Sequence, residues 1–290
     1  MYETASSVSP DLELSVKKST LLAKAKLADR INGKMNNQTT IDKEETGIDV
    51  LPSLDNFYDD PVVRVPIETF SDSYMESILA VKGRIKKYFD ENPNSPMAKY
   101  PRIFDFKDEL STISNELVSW LERDRYGCHL YVDKIYIYRT YPLDERVSSY
   151  IWHYDNNPEE IVKNIIYLTD VTEKNSPFEY IMDGDGRGVL FESTRRGTEM
   201  WEPVANNSRL VNEAKYLFEN GHTSKKVTGP IGTTYSFNND CGHRVNPIIE
   251  GYRDVINIRV KPTLNKAPDY VGEGYTTGFE VSGAVNKNPE

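Results

Sequence analysis

The chain has 290 residues, with 35 Lys and Arg against 45 Asp and Glu, for a formal charge of −10. That length buries a core without staples, and two cysteines, Cys128 and Cys241, give no disulfide framework. The acidic balance excludes a partner held by phosphate neutralisation, so no nucleic acid is expected. No apolar run is long enough for a signal or a span, so no membrane partner and a reducing, cytoplasmic compartment are expected.

Taken in chain order, residues 1–50 read as a polar arm with one amphipathic helix (12–31), and residues 51–290 as a single domain. Helical periodicity governs 66–125. Thr69 to Asp90 sets Met75, Ile78, Leu79, Val81 and Ile85 on one stripe, and Asp108 to Arg123 does the same with Leu110, Ile113, Leu117, Trp120 and Leu121. From 129 to 262 the pattern alternates in short aromatic and β-branched runs: 129–141, 147–155, 163–171, 177–183, 232–239 and 253–262. The expected fold class is mainly β with flanking helices, an antiparallel sandwich or barrel backed by the N-terminal helices. Residues 184–228 interrupt it as an insertion with a helix over 207–219. Its Arg195, Arg196 and Trp201 suit either a lid over the barrel mouth or a solvated loop.

Any imidazole chemistry must use His129, His153, His222 or His243. In a strand, residues two apart share a face, so His153 and Asp155 project together. In so acidic a chain that spacing arises readily by chance. The second cluster, Cys241-Gly242-His243-Arg244-Val245, adds weight: two histidines and one carboxylate suit a non-haem Fe(II) with open coordination positions. Arg253, ten residues after His243, offers a bidentate clamp for a carboxylate such as the far end of 2-oxoglutarate. Its strand face is the polar one, ordinarily solvent; Arg253 turns inward only if Ile256, Ile258 and Val260 pack outward on the helices.

Tyr138, Arg139 and Asn164 are further candidates to line a co-substrate pocket, with core packing the commoner role for a buried tyrosine. Trp152, beside His153, is expected on the opposite face against a helix. His129 and His222 lack partners at metal-ligand spacing and read as structural or surface residues, and Cys241 as a small buried thiol.

WHYD (152–155), GHRV (242–245), the later arginine and the run IIYLTDVTEKNSPFEYI (165–181) together resemble the Fe(II)/2-oxoglutarate-dependent oxygenases, specifically the phytanoyl-CoA dioxygenase-like branch. The resemblance covers about residues 125–262 and departs from that branch after PFEYI, where this chain has Met-Asp-Gly-Asp-Gly. It implies a double-stranded β-helix, a jelly-roll or cupin-like barrel. It implies Fe(II) on His153, Asp155 and His243, 2-oxoglutarate on Arg253 with Tyr138 and Asn164 nearby, and dioxygen as the oxidant. Related halogenases resemble this pattern but carry a small residue in place of the carboxylate. Asp155 therefore favours hydroxylation, or another oxidation, of a small organic molecule with release of succinate and carbon dioxide. A cupin-like metal-dependent isomerase or hydrolase, and a non-catalytic ligand-binding barrel, remain open readings of the same residues.

Overall fold

A computed structural model of the chain describes residues 61–93, 97–142, 148–155, 161–191 and 210–262. The helix expected over 12–31 and the insertion residues Arg195, Arg196 and Trp201 lie outside them.

Two helices form the outer layer. The first, α1 (Asp72–Glu91), starts after Ser71, whose backbone N–H donates to the Glu116 carboxylate 2.7 Å away. Glu116 belongs to α2 (Lys107–Trp120), so the two helices are tied where α1 begins. Tyr74, Ile78, Val81, Ile85 and Phe89 of α1 and Leu110, Ile113, Leu117 and Val118 of α2 recur at helical spacing and are buried. Leu79, expected on that stripe, is exposed. Past Trp120 the chain continues as a π-helical stretch, Leu121–Tyr126, and stops at Gly127, whose φ of 62° is open to glycine at little cost.

Nine strands follow or flank these helices: β1 (Val62–Val65), β2 (Met97–Lys99), β3 (Leu130–Thr140), β4 (Val162–Tyr167), β5 (Phe178–Met182), β6 (Thr223–Val227), β7 (Thr234–Asn238), β8 (His243–Val245) and β9 (Arg253–Pro262). All pairings between them are antiparallel. One sheet runs β1-β7-β4-β9-β3-β2 and a smaller one β6-β5-β8. The pairing is nested: β3 with β9, the segment at His153 with β8, β4 with β7, and β5 with β6. A long hairpin folded back on itself pairs in this order, giving a jelly-roll-like arrangement of two facing sheets.

Strand parity divides the large sheet cleanly. Ile135, Ile137, Val162, Ile166, Ile256, Ile258 and Val260 face the helices and complete the main core. Ile165, Tyr167, Tyr235, Phe237 and Val255 face the other way, toward Phe178 and Tyr180 of the small sheet. A short helix, α3 (Val211–Glu219), lies beyond the small sheet, where Ala214 packs with Ile181 and Tyr154. No helix among the described residues is long and apolar enough to cross a membrane.

Two expectations need correcting. The run 147–155 is not a strand: a 3-10 turn covers Ser148–Tyr150, and only His153 makes a bridge. Its flanking groups bond elsewhere, Trp152 O accepting from Leu210 N and Asp155 N donating to Asn239 O, so no ladder can extend. Conversely, the insertion contains β6. Its sequence, TSKKV, carries no apolar alternation because it is an edge strand with exposed lysines, a composition that blunts further pairing.

Candidate metal centre

His153 and His243 face each other across the bridge, exchanging backbone hydrogen bonds of 2.8 and 2.7 Å. That reciprocal pair holds the two rings 4.3 Å apart. Asp155 is secured from both sides, its N–H donating to Asn239 O and its carbonyl accepting from Asn239 Nδ2, each at 2.9 Å. One ligand-capable atom from each of His153, Asp155 and His243 lies within 4.8 Å of the others. His243 Nε2 is 3.4 Å from Asp155 Oδ2.

The donor set fits a divalent metal on chemical grounds. His153 Nδ1 lies 2.7 Å from Ile151 O, and His243 Nδ1 lies 2.7 Å from Cys241 O. A carbonyl can only accept, so each Nδ1 carries the proton and each Nε2 keeps its lone pair, the tautomer a metal-binding imidazole needs. Cys241 thus serves through its backbone; its buried thiol packs in the inner core and ligates nothing in this set. Gly242 has a steric reason: a Cβ there would meet Phe191 Cε2 at 2.4 Å, and that ring is stacked on Tyr154.

Lys163, which sequence pattern does not single out, touches this centre. Its ammonium donates to Asp155 Oδ2. Burial pushes the Asp155 carboxyl up, but Lys163 and then the two histidines outweigh it and hold it well below the usual carboxylate range. Asn164, one residue on, points the opposite way. It shares its strand face with Val162 and Ile166 under the helices, and its amide donates to Ile258 O. Its expected place in a co-substrate pocket is therefore corrected by parity alone. Arg139 is corrected likewise: it is buried on the helix side, paired in two-pronged fashion with Asp254 at 2.6 and 2.8 Å and with Asp90 at 2.7 Å.

Arg253 and Tyr138 do face inward. Arg253 is 3% exposed and donates to Ser176 O and, at 3.5 Å, to Thr140 Oγ1. It forms no ion pair with any acid among the described residues, and Arg253 Nε and Ser176 Oγ are buried without a hydrogen-bond partner. Ser176 holds φ at 62°, a left-handed conformation that a serine adopts at a cost of about 1 kcal/mol. Four tyrosines, 138, 150, 167 and 235, lie within electrostatic reach of the guanidinium. Burial pushes each phenol up, and the Arg253 charge partly opposes it. A buried cation with open donors and no acid is a receptor for an anion. The Asp155 charge adds to the upward push on the Tyr138 phenol.

The remaining candidates behave as structural residues. Trp152 packs against Phe218 of α3, with the Arg244 guanidinium 4.3 Å from its ring. His129 is fully buried, its Nδ1 3.7 Å from Glu122 Oε1.

No family model and no curated protein matches the chain. Among solved structures, it is similar to HygX from Streptomyces hygroscopicus with nickel and 2-oxoglutarate bound, at 16% identity and TM-score 0.46 over 73% of this chain and 87% of that one. It is also similar to the non-heme alpha ketoglutarate dependent epimerase SnoN from nogalamycin biosynthesis, at 12% identity and TM-score 0.41 over 71% of this chain and 80% of that one. A third is EctD from S. alaskensis with bound Fe, at 13% identity and TM-score 0.45 over 77% and 81%.

Proposed function

We propose that this chain is an Fe(II)- and 2-oxoglutarate-dependent oxygenase that hydroxylates a small organic molecule and releases succinate and carbon dioxide. The nested strand pairing supports reading its two sheets as the double-stranded β-helix of that superfamily, and the WHYD and GHRV motifs resemble its phytanoyl-CoA dioxygenase-like branch.

The observation that carries the reading is a convergence. Two imidazoles with fixed tautomers and one carboxylate meet on the inner face, and a buried arginine without an acid partner among the described residues faces inward as well. His153, Asp155 and His243 would hold the iron, and Arg253 would hold the far carboxylate of 2-oxoglutarate. When bound, iron with 2-oxoglutarate and dioxygen supplies the oxidising chemistry.

The protein's own contribution is placement. The carbonyls of Ile151 and Cys241 fix the imidazole protons at Nδ1, and Asn239 fixes the backbone at Asp155. Arg253 provides a planar fork that positions a carboxylate, and Tyr138 packs on the inner core beside it. Phe178 and Phe237, with rings 5.3 and 5.0 Å from the His243 ring, exclude water on that side.

The test loads the full-length protein anaerobically with Fe(II), then admits oxygen and 2-oxoglutarate and measures succinate. Succinate formation, even uncoupled from any added substrate, supports the oxygenase. Its absence, with another divalent metal supporting turnover or none needed for ligand binding, would favour the cupin-like enzyme or the binding barrel.

A further inference from the structure

The inner face of the large sheet carries a second set of cations that the oxygenase reading does not use. In the strand register, Lys163 of β4 lies directly opposite Arg259 of β9, and Arg259 lies directly opposite Lys134 of β3. Three cations therefore form one row across three adjacent strands, with successive Cα atoms about 5 Å apart. Like charges in directly opposed positions destabilise a sheet, so such a row calls for a counter-anion. Lys261, two residues further along β9, lies on the same face.

The acids present leave the row undersupplied. A bulge at Val132/Lys134 turns Asp133 and Lys134 to the same face, and Asp133 serves both Arg259 at 3.3 Å and Lys261 at 3.2 Å. Among the described residues Lys163 pairs with Asp155 alone, a candidate metal ligand. Lys134 makes no ion pair among the described residues, and Arg259 Nε is buried without a hydrogen-bond partner. Burial pushes the Lys134 ammonium down, so its charge is held partly out of water.

This row is separate from the arginine assigned to the co-substrate. Arg253 and Arg259 share the inner face of β9 six residues apart, about 20 Å between Cα atoms of an extended strand, and their guanidiniums are anchored at opposite ends, one on Ser176 and Thr140 and the other on Asp133. Lys163, touching Asp155, places the row beside the metal centre on the side away from Arg253.

We propose that Lys163, Arg259 and Lys134 form an anion subsite that docks a phosphate-ester or carboxylate group of the substrate beside the metal centre. That the anion belongs to the substrate rests on the oxygenase reading; the subsite itself rests on the row. Calorimetric titration of the metal-free full-length chain uses inorganic pyrophosphate in one arm and tricarballylate in the other, each with and without saturating 2-oxoglutarate. At least one probe binds, 2-oxoglutarate does not displace it, and Lys134→Met and Arg259→Met each weaken it about tenfold, the worth of one charge-assisted contact. The tighter probe identifies phosphate or carboxylate as the preferred chemistry. Lys134→Met breaks no ion pair among the described residues, so it stays informative if Arg259→Met fails to fold. Absence of binding by both probes, displacement by 2-oxoglutarate, or unchanged affinity in Lys134→Met overturns the subsite. A protein that binds a probe yet forms no succinate loses the oxygenase reading alone, and one that forms succinate but binds neither probe loses the subsite alone.

Discussion

Lys163 of β4 donates to the carboxylate of Asp155, so a candidate metal ligand has a cationic partner. A metal ion arriving at the triad competes with that ammonium for the same oxygen. Lys163→Met should therefore destabilise the metal-free protein by roughly 1–3 kcal/mol, because it leaves a largely buried carboxylate uncompensated, and should lose much less when metal is present. Thermal unfolding of both proteins with and without Mn(II) checks this. An equal loss in the two states would show that Lys163 acts only through packing.

Removal of any one of His153, Asp155 or His243 by alanine should weaken divalent-metal binding on the order of a hundredfold or more, since outer contacts alone are worth 10–100-fold. Equilibrium dialysis with Mn(II) measures it directly. His129→Ala, which alters a buried residue outside the triad, should leave metal affinity within about threefold of the parent at any temperature where it remains folded.

Arg139 makes a structural prediction. Its guanidinium bridges Asp254 and Asp90 and lies 3.7 Å from the Tyr252 ring centroid, on the face opposite the site. Arg139→Met should cost about 3–5 kcal/mol in denaturant unfolding by leaving Asp254 buried and unpaired. Asp254→Asn in the same background should recover part of that loss. A failure to recover any of it would locate the cost in the aromatic contact instead.

Glu179 of β5 gives the small sheet an acid sensitivity. Burial raises its carboxyl, but Arg244, Ser224 and Asn246 outweigh it and lower it below the ordinary glutamate value. A depressed folded-state pKa contributes stability that is fully present above the unfolded value and lost as pH falls through the folded one. Glu179→Gln should therefore be less stable than the parent at neutral pH, with the gap closing as pH drops through the glutamate range. Melting temperature against pH for the two proteins reads the gap, and a constant difference would contradict the assignment.

The triad was legible in the sequence because its recognition is local: His153 and Asp155 are two residues apart, and His243 sits in a short motif with its own glycine. The layering was legible for the same reason, since Ile256, Ile258 and Val260 alternate visibly with Arg253 and Asn257. What was not legible depends on strand parity and register. Sequence pattern singles out Asn164 and not its neighbour Lys163, yet Lys163 touches Asp155 and Asn164 lies under the helices. The row of Lys163, Arg259 and Lys134 exists only once three strands are aligned, and Asn239 becomes a partner of Asp155 only when the chain folds back at β7. The segment around His153 reads as a strand from its residue types. Its backbone groups find three different partners instead, a fact that no local pattern encodes.

In the proposed function the triad and Arg253 hold one iron and one 2-oxoglutarate together. Anaerobic binding of 2-oxoglutarate to the full-length protein, with and without Fe(II), tests it most directly. Binding is expected to be strengthened strongly by iron, to lose this dependence in Asp155→Ala, and to weaken about tenfold or more in Arg253→Met while Arg253→Lys falls between. Binding that is indifferent to iron, or that keeps the parent affinity in Arg253→Met, would contradict it.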